Sequence, residues 1–177
     1  MTFDEAYLRL SEPFYVNGWL SEEEARLLWN AAAATVGPIL EVGSYHGRST
    51  ILLAGLERLI LSVDPFEGFD DTDPTGEKTL AAFQRNLAAR DIRTVNQYRL
   101  KVEEWTPRRC GFAYLDGDHT EAGTLRQIEV ARQCGVQTMC LHDYEGNGGG
   151  WEIVRAVSEA GLEVLEVAGR LAHCRSK

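Results

Sequence analysis

Short apolar runs, most of them ending at residues able to do chemistry, alternate along this chain with segments of helical periodicity. That alternation constrains the fold more than anything else in the sequence. The runs are "ILEV" (39–42), "LILSV" (59–63), a less distinct one within 94–102, "FAYLD" (112–116) and "VQTMCL" (136–141). Between them lie "EKTLAAFQRNLAARD", with Leu80, Phe83 and Leu87 on one side, and "TEAGTLRQIEVARQCG", with Ala122, Leu125, Ile128 and Ala131 in register. Strands this short and this continuously apolar belong in a parallel sheet covered by helices. "LEVLEVA" and "LAHCR" read as a closing antiparallel pair. The expectation is therefore α/β: a doubly wound, Rossmann-like sheet of seven strands, mostly parallel with an antiparallel C-terminal strand, and helices on both faces.

At 177 residues the chain is expected to be one domain, residues 1–36 forming an N-terminal helical segment and 37–177 the core. Residues 1–18 read as irregular, with at most one helical turn, interrupted by Pro13. "GWLSEEEARLLWNAAAATVGP" reads as a helix opened by a Ser21–Glu24 capping box and stopped at Gly37-Pro38. Its apolar residues could supply a homo-oligomer contact. A formal charge of −9, with no Lys/Arg run longer than Arg108-Arg109, argues against nucleic acid and against an anionic membrane surface. No export signal is visible, nor an apolar stretch near the ~18 residues a bilayer requires, so a cytoplasmic location is expected. The four cysteines show no CxxC spacing and read as free thiols.

In such sheets ligands bind beyond the carboxyl ends of the strands. After the first strand comes "EVGSYHGRST". Gly43 permits a turn barred to other residues, Gly47 allows close approach, and the amides of Ser44 to Ser49 are expected to face a ligand at a helix N-terminus. The spacing is G-x-x-x-G, with Tyr45 where a dinucleotide site carries its middle glycine, which weakens a nicotinamide reading. Glu41 suits a ligand that also carries an amine, such as an amino acid or S-adenosylmethionine. Asp64, about twenty residues on at the next strand end, suits a ribose diol. A plain strand-to-helix turn, with Asp64 as an ordinary turn residue before proline, is the competing reading.

Asp116 ends the strand "FAYLD", and His142-Asp143 follow "VQTMCL". On neighbouring parallel strands these three would share one cleft and could hold a divalent cation: oxygen ligands favour Mg²⁺ or Mn²⁺, while His142 tilts the set towards Mn²⁺, Fe²⁺ or Zn²⁺. His119, three residues past Asp116, is the candidate base, and Asp118 or Thr120 the candidate cap of the helix that follows. "EGNGGG" (145–150) reads as a mobile segment or a plain connector. The acidic loop 64–77 reads as a solvated surface or a substrate lid.

In order, "GWLSEEEARLL", "ILEVGSYHGRSTILLA", "SVDPFEG", "FAYLDGDHTEAG" and "LHDYEGNGGGWEIVRAV" resemble the class I S-adenosylmethionine-dependent methyltransferases, most closely the small-molecule O-methyltransferase branch that includes the macrocin and mycinose-pathway enzymes. The resemblance implies that Glu41, Gly43, Ser44, Gly47 and Ser49 hold the methionine part of the cofactor and Asp64 its ribose. Val102 falls where the adenine is flanked, Asp116 and Asp143 match metal ligands, and His119 matches a general base. His142 stands where the family pattern often has a second acid. The activity implied is metal-assisted O-methylation of a small-molecule acceptor. A catalytically silent binding protein on the same fold and a nicotinamide-dependent oxidoreductase are the alternatives.

Overall fold

The computed structural model describes residues 1–67, 73–144 and 150–177. The sheet has seven strands: β1 (Ile39–Val42), β2 (Ile60–Val63), β3 (Val95–Tyr98), β4 (Phe112–Leu115), β5 (Thr138–Leu141), β6 (Leu162–Ala168) and β7 (Leu171–Ser176). Their spatial order is β3-β2-β1-β4-β5-β7-β6. The first five pair in parallel, and β7 runs antiparallel to both β5 and β6. The expected architecture is the one found.

Strand alternation separates two cores. Ile39, Ile60, Phe112 and Tyr114 point to one face, where they meet α1 (Phe3–Leu8), α2 (Glu22–Ala33), α3 (Arg48–Ala54) and α4 (Glu77–Ala88). Leu40, Val42, Leu61, Val63, Ala113 and Leu115 point to the other, under α5 (Glu121–Gln133) and α6 (Gly150–Glu159). Both sets are buried because a parallel sheet needs helices on each side. The four cysteines are buried free thiols.

Three helix starts have local causes. The N-terminal stretch contains α1, opened by a capping box from Thr2 to Glu5; "TFDE" carries that pattern, and it is the signal that betrays the helix. The helix α3 is capped by Gly47 in a left-handed conformation and not by a hydroxyl, because Ser49 and Thr50 turn inward. Thr120 caps α5 through the Gly123 amide, while Asp118 accepts from the Thr120 amide just before it.

The Ser21–Glu24 capping box of α2 is present. The helix spends its apolar face inside the chain: Ala25, Leu28, Trp29 and Ala32 are buried against the first core, so that face is not available to a second copy. Among the described residues no helix is long and apolar enough to cross a membrane. Residues 145–149 of the glycine run and 68–72 of the acidic loop lie outside the described residues.

Candidate active site

The sheet order reverses direction between β1 and β4, and such a reversal opens a crevice at the carboxyl ends of the strands. A cleft of about 860 Å³ lies there, bordered by Gly43, Ser44, Asp64, Val102, Asp116 and His119, with Asn17 to Leu20 closing one side. Small-molecule and cofactor sites span roughly 300–1,000 Å³.

One wall is the turn from β1 to α3. Gly43 sits at φ 82°, and a Cβ there would overlap the carbonyl oxygen of Asp116 at the end of β4. The two strand ends come this close only because residue 43 has no side chain. Gly47, also at positive φ, leaves room for the Phe83 ring of α4 and does not border the cleft.

Glu41 is fully buried behind this turn. Its carboxylate accepts hydrogen bonds from the hydroxyls of Ser44 (2.9 Å), Ser49 (2.8 Å) and Thr50 (2.6 Å), and Ser44 also meets the Ser62 hydroxyl at 2.7 Å. It therefore shapes the turn from behind and does not border the cleft, whereas the sequence suggested direct contact with an amine. Asp64 brings a second difference. Its Oδ2 accepts the amides of Ser44 (2.7 Å) and Tyr45 (2.9 Å), and its Oδ1 accepts that of Phe66 (2.6 Å). The first amides of the turn thus converge on Asp64, since an acid at the next strand end lies within reach of such a nest of N–H groups. Asp64 itself still borders the cleft, as does Val102, which opens a short 3₁₀ turn four residues beyond β3.

Burial pushes the Glu41 carboxyl up to about 7, outweighing its three hydroxyl donors, with the charge of Asp64 adding in the same direction. An acid that holds its proton more tightly when folded contributes most at low pH. That contribution is lost as pH rises from 4.5 towards 7, by about 3 kcal/mol. Glu41→Gln removes the titration. The unfolding free energy of wild type relative to Glu41→Gln should therefore fall by about this amount between roughly pH 4 and pH 8. Urea denaturation of both proteins at the two pH values measures it, and parallel profiles would refute the assignment.

The facing wall joins the ends of β4 and β5. One donor atom from each of Asp116, His142 and Asp143 lies within 4.8 Å of the others, as their neighbouring strands require. His142 is only 3% exposed, and its Nδ1 lies 3.4 Å from Asp116 Oδ1 and 3.4 Å from Asp143 Oδ1. His119 reaches back from the following loop, its Nδ1 3.1 Å from Asp143 Oδ2. The Arg170 guanidinium, from the β6–β7 turn, contacts Asp143 Oδ1, and the Tyr114 hydroxyl donates to Asp116 Oδ2 at 2.9 Å. Asp143 adopts φ 58°, a conformation that costs energy for a residue other than glycine and is concentrated at functional sites.

These contacts set the charges. Burial disfavours a charged His142, but Asp116, Asp143 and Glu24 together outweigh it and push its pKa up to about 12. The contact with Asp143 raises His119 above its ordinary value, against partial burial and with help from Asp116. Asp143 is held well below the usual carboxylate range: burial opposes its ionisation, and His119 and His142 overcome that. Glu24, Arg170 and Tyr114 are members of this wall that sequence reading missed. The first was visible only as a helix cap, and the other two reach the site solely through the sheet.

A methyltransferase-domain family model matches residues 40–144, which carry both walls apart from Glu24 and Arg170. The chain belongs to that family. Solved structures agree on the fold of this methyltransferase. An O-methyltransferase from Bacillus cereus in complex with SAH is 14% identical with a TM-score of 0.67, covering 99% of this chain and 90% of that one. TomG, an O-methyltransferase from Streptomyces achromogenes involved in tomaymycin synthesis and solved with SAM, is 12% identical with a TM-score of 0.66, covering 99% and 89%. The SAH-bound methyltransferase PaMTH1 from Podospora anserina is 12% identical with a TM-score of 0.69, covering 99% and 87%.

Proposed function

We propose that the protein transfers a methyl group from S-adenosylmethionine (SAM) to a hydroxyl oxygen of a small-molecule acceptor. One observation carries the reading: a turn whose backbone must be bare at Gly43 and a His119–Asp143 pair border the same cleft. The turn, the Asp64 carboxylate and the apolar Val102 fit a ligand that combines an amino acid with an adenosine. The neighbours solved with SAM or SAH support that choice. Glu41 and Gly47 serve it by shaping the turn, Gly43, Ser44, Asp64 and Val102 by meeting the ligand, and Ser49, which donates to Glu41 and borders the cleft, by both.

SAM supplies an electrophilic methyl group on a sulfonium sulfur. The chain supplies the base and the alignment. With Nδ1 of His119 engaged by Asp143, Nε2 is the nitrogen left to take the acceptor's proton, and Asp143 stabilises the imidazolium that results. Asp116 and Asp143, with His142 as third donor after losing its proton, fit a divalent ion such as Mg²⁺ or Mn²⁺. Such an ion would lower the pKa of the acceptor hydroxyl. A metal-independent version is favoured by Asp143 itself, whose two oxygens are already engaged by His119 on one side and by His142 and Arg170 on the other.

Titration calorimetry should give micromolar binding of SAM and its product SAH. Incubation with SAM and a panel of sugar, phenol, polyketide and carboxylate acceptors should then add one methyl group to at least one of them. No binding of either cofactor form would refute the reading. Turnover that survives EDTA would select the metal-independent version, and turnover lost to EDTA and restored by Mg²⁺ or Mn²⁺ the other.

A further inference from the structure

We infer that Glu24 is a positioning residue for methyl transfer, holding His142 by direct contact and Asp143 by way of the β6–β7 turn. The chain contains its own control. Glu5 and Glu24 occupy the same place in two capping boxes of the same pattern, and Glu5 lies in solvent whereas Glu24 is 6% exposed. Capping takes one carboxylate oxygen: Oε2 of Glu24 accepts the Ser21 amide at 2.7 Å. A buried carboxylate needs partners for its other oxygen, and Oε1 has two. It accepts the Arg170 amide at 2.8 Å and faces His142 Nε2 at 3.8 Å.

Both contacts lead into the cleft. Gly169 turns at φ 55° directly over the carboxylate, and a Cβ there would stand 2.7 Å from Oε1, so the turn is moulded to Glu24. The next residue, Arg170, sends its guanidinium to Asp143. His142 is clamped between Asp116 and Asp143 at Nδ1 and Glu24 at Nε2. Nε2 has no hydrogen-bond partner among the described residues, so the Glu24 charge is what holds that edge of the ring. A helix outside the sheet thereby fixes the orientation of an imidazole and a carboxylate inside the site. Only the kinetic part of the test rests on the methyl-transfer reading.

Glu24→Gln removes the charge: its one amide oxygen can still accept the Arg170 N–H, but its NH2 cannot accept the Ser21 amide, so the cap is weakened as well and needs its own control. With ¹⁵N-labelled histidine, and His142 assigned by a His142→Asn comparison, the His142 ring signals should shift while those of His46 and His173 stay in place. With an acceptor from the panel, kcat should fall roughly tenfold or more, as when an orienting partner of a site histidine is lost. SAH affinity should change less than about twofold. Ser21→Ala weakens the same cap and leaves Oε1 alone, so it should leave the His142 signals unmoved. Unmoved His142 signals in Glu24→Gln would overturn the inference. So would Ser21→Ala moving them equally, since the cap and not the carboxylate would then be responsible. Wild-type protein failing to bind SAH would overturn the methyl-transfer reading and leave the spectra to decide the role of Glu24.

Discussion

His119→Ala is expected to lower methyl transfer roughly 100-fold or more, the ordinary worth of a positioned general base, while leaving SAH affinity unchanged. The separation follows from the geometry. His119 touches Asp143 on the wall formed by β4 and β5, whereas the turn at Gly43 and Asp64 lies across the cleft on β1 and β2. The pH profile adds a second signature. A base works when deprotonated, and the contact with Asp143 raises the His119 pKa, so kcat should climb through an apparent value above 6.5. Asp143→Asn removes the largest cause of the rise and should move that limb to lower pH as well as slowing the reaction. Steady-state kinetics on the methylated acceptor, paired with SAH calorimetry, measure both. Unchanged turnover in His119→Ala would remove this imidazole from the chemistry.

The second large effect belongs to Gly43→Ala. A left-handed conformation costs an alanine about 1–2 kcal/mol, and relieving an overlap in a packed interior commonly costs a further 1–3 kcal/mol. Here the overlap is with the Asp116 carbonyl, and backbone of a central strand cannot swing aside as a side chain can. A loss of about 3 kcal/mol or more is therefore expected in urea denaturation, with SAH binding abolished in whatever folds. Gly161→Ala is the matched control. It has positive φ as well, at 65°, but nothing within 4 Å of its Cβ, so it should show the conformational cost alone. Equal losses at the two positions would mean that the close approach of β1 and β4 is unimportant.

Much of this protein is legible locally. Short continuous apolar runs mark "ILEV" and "FAYLD", helical spacing marks Leu80, Phe83 and Leu87, and a capping box marks the start of α2. Each signal is a property of adjacent residues, so no distant contact is needed to read it. The order of strands places Asp116, His142 and Asp143 together for the same reason: acids and imidazoles at the ends of neighbouring parallel strands have nowhere else to meet.

The direction in which each polar group faces is another matter, because it is settled by partners far away in the chain. Glu41 turns to three hydroxyls and not to the cleft, since a fully buried carboxylate must be matched by whatever donors the next helix brings. Asp64 gathers the amides of the turn, and Glu24 reaches 146 positions along the chain to the Arg170 amide. The sequence by itself determined the sheet, the glycine turn and the residues that end its strands, through periodicity and backbone sterics. Only the tertiary structure decided which carboxylate would shape the turn, which would hold an imidazole and which would face the cleft, because buried charge is placed by its nearest opposite charge or donor wherever the chain supplies one.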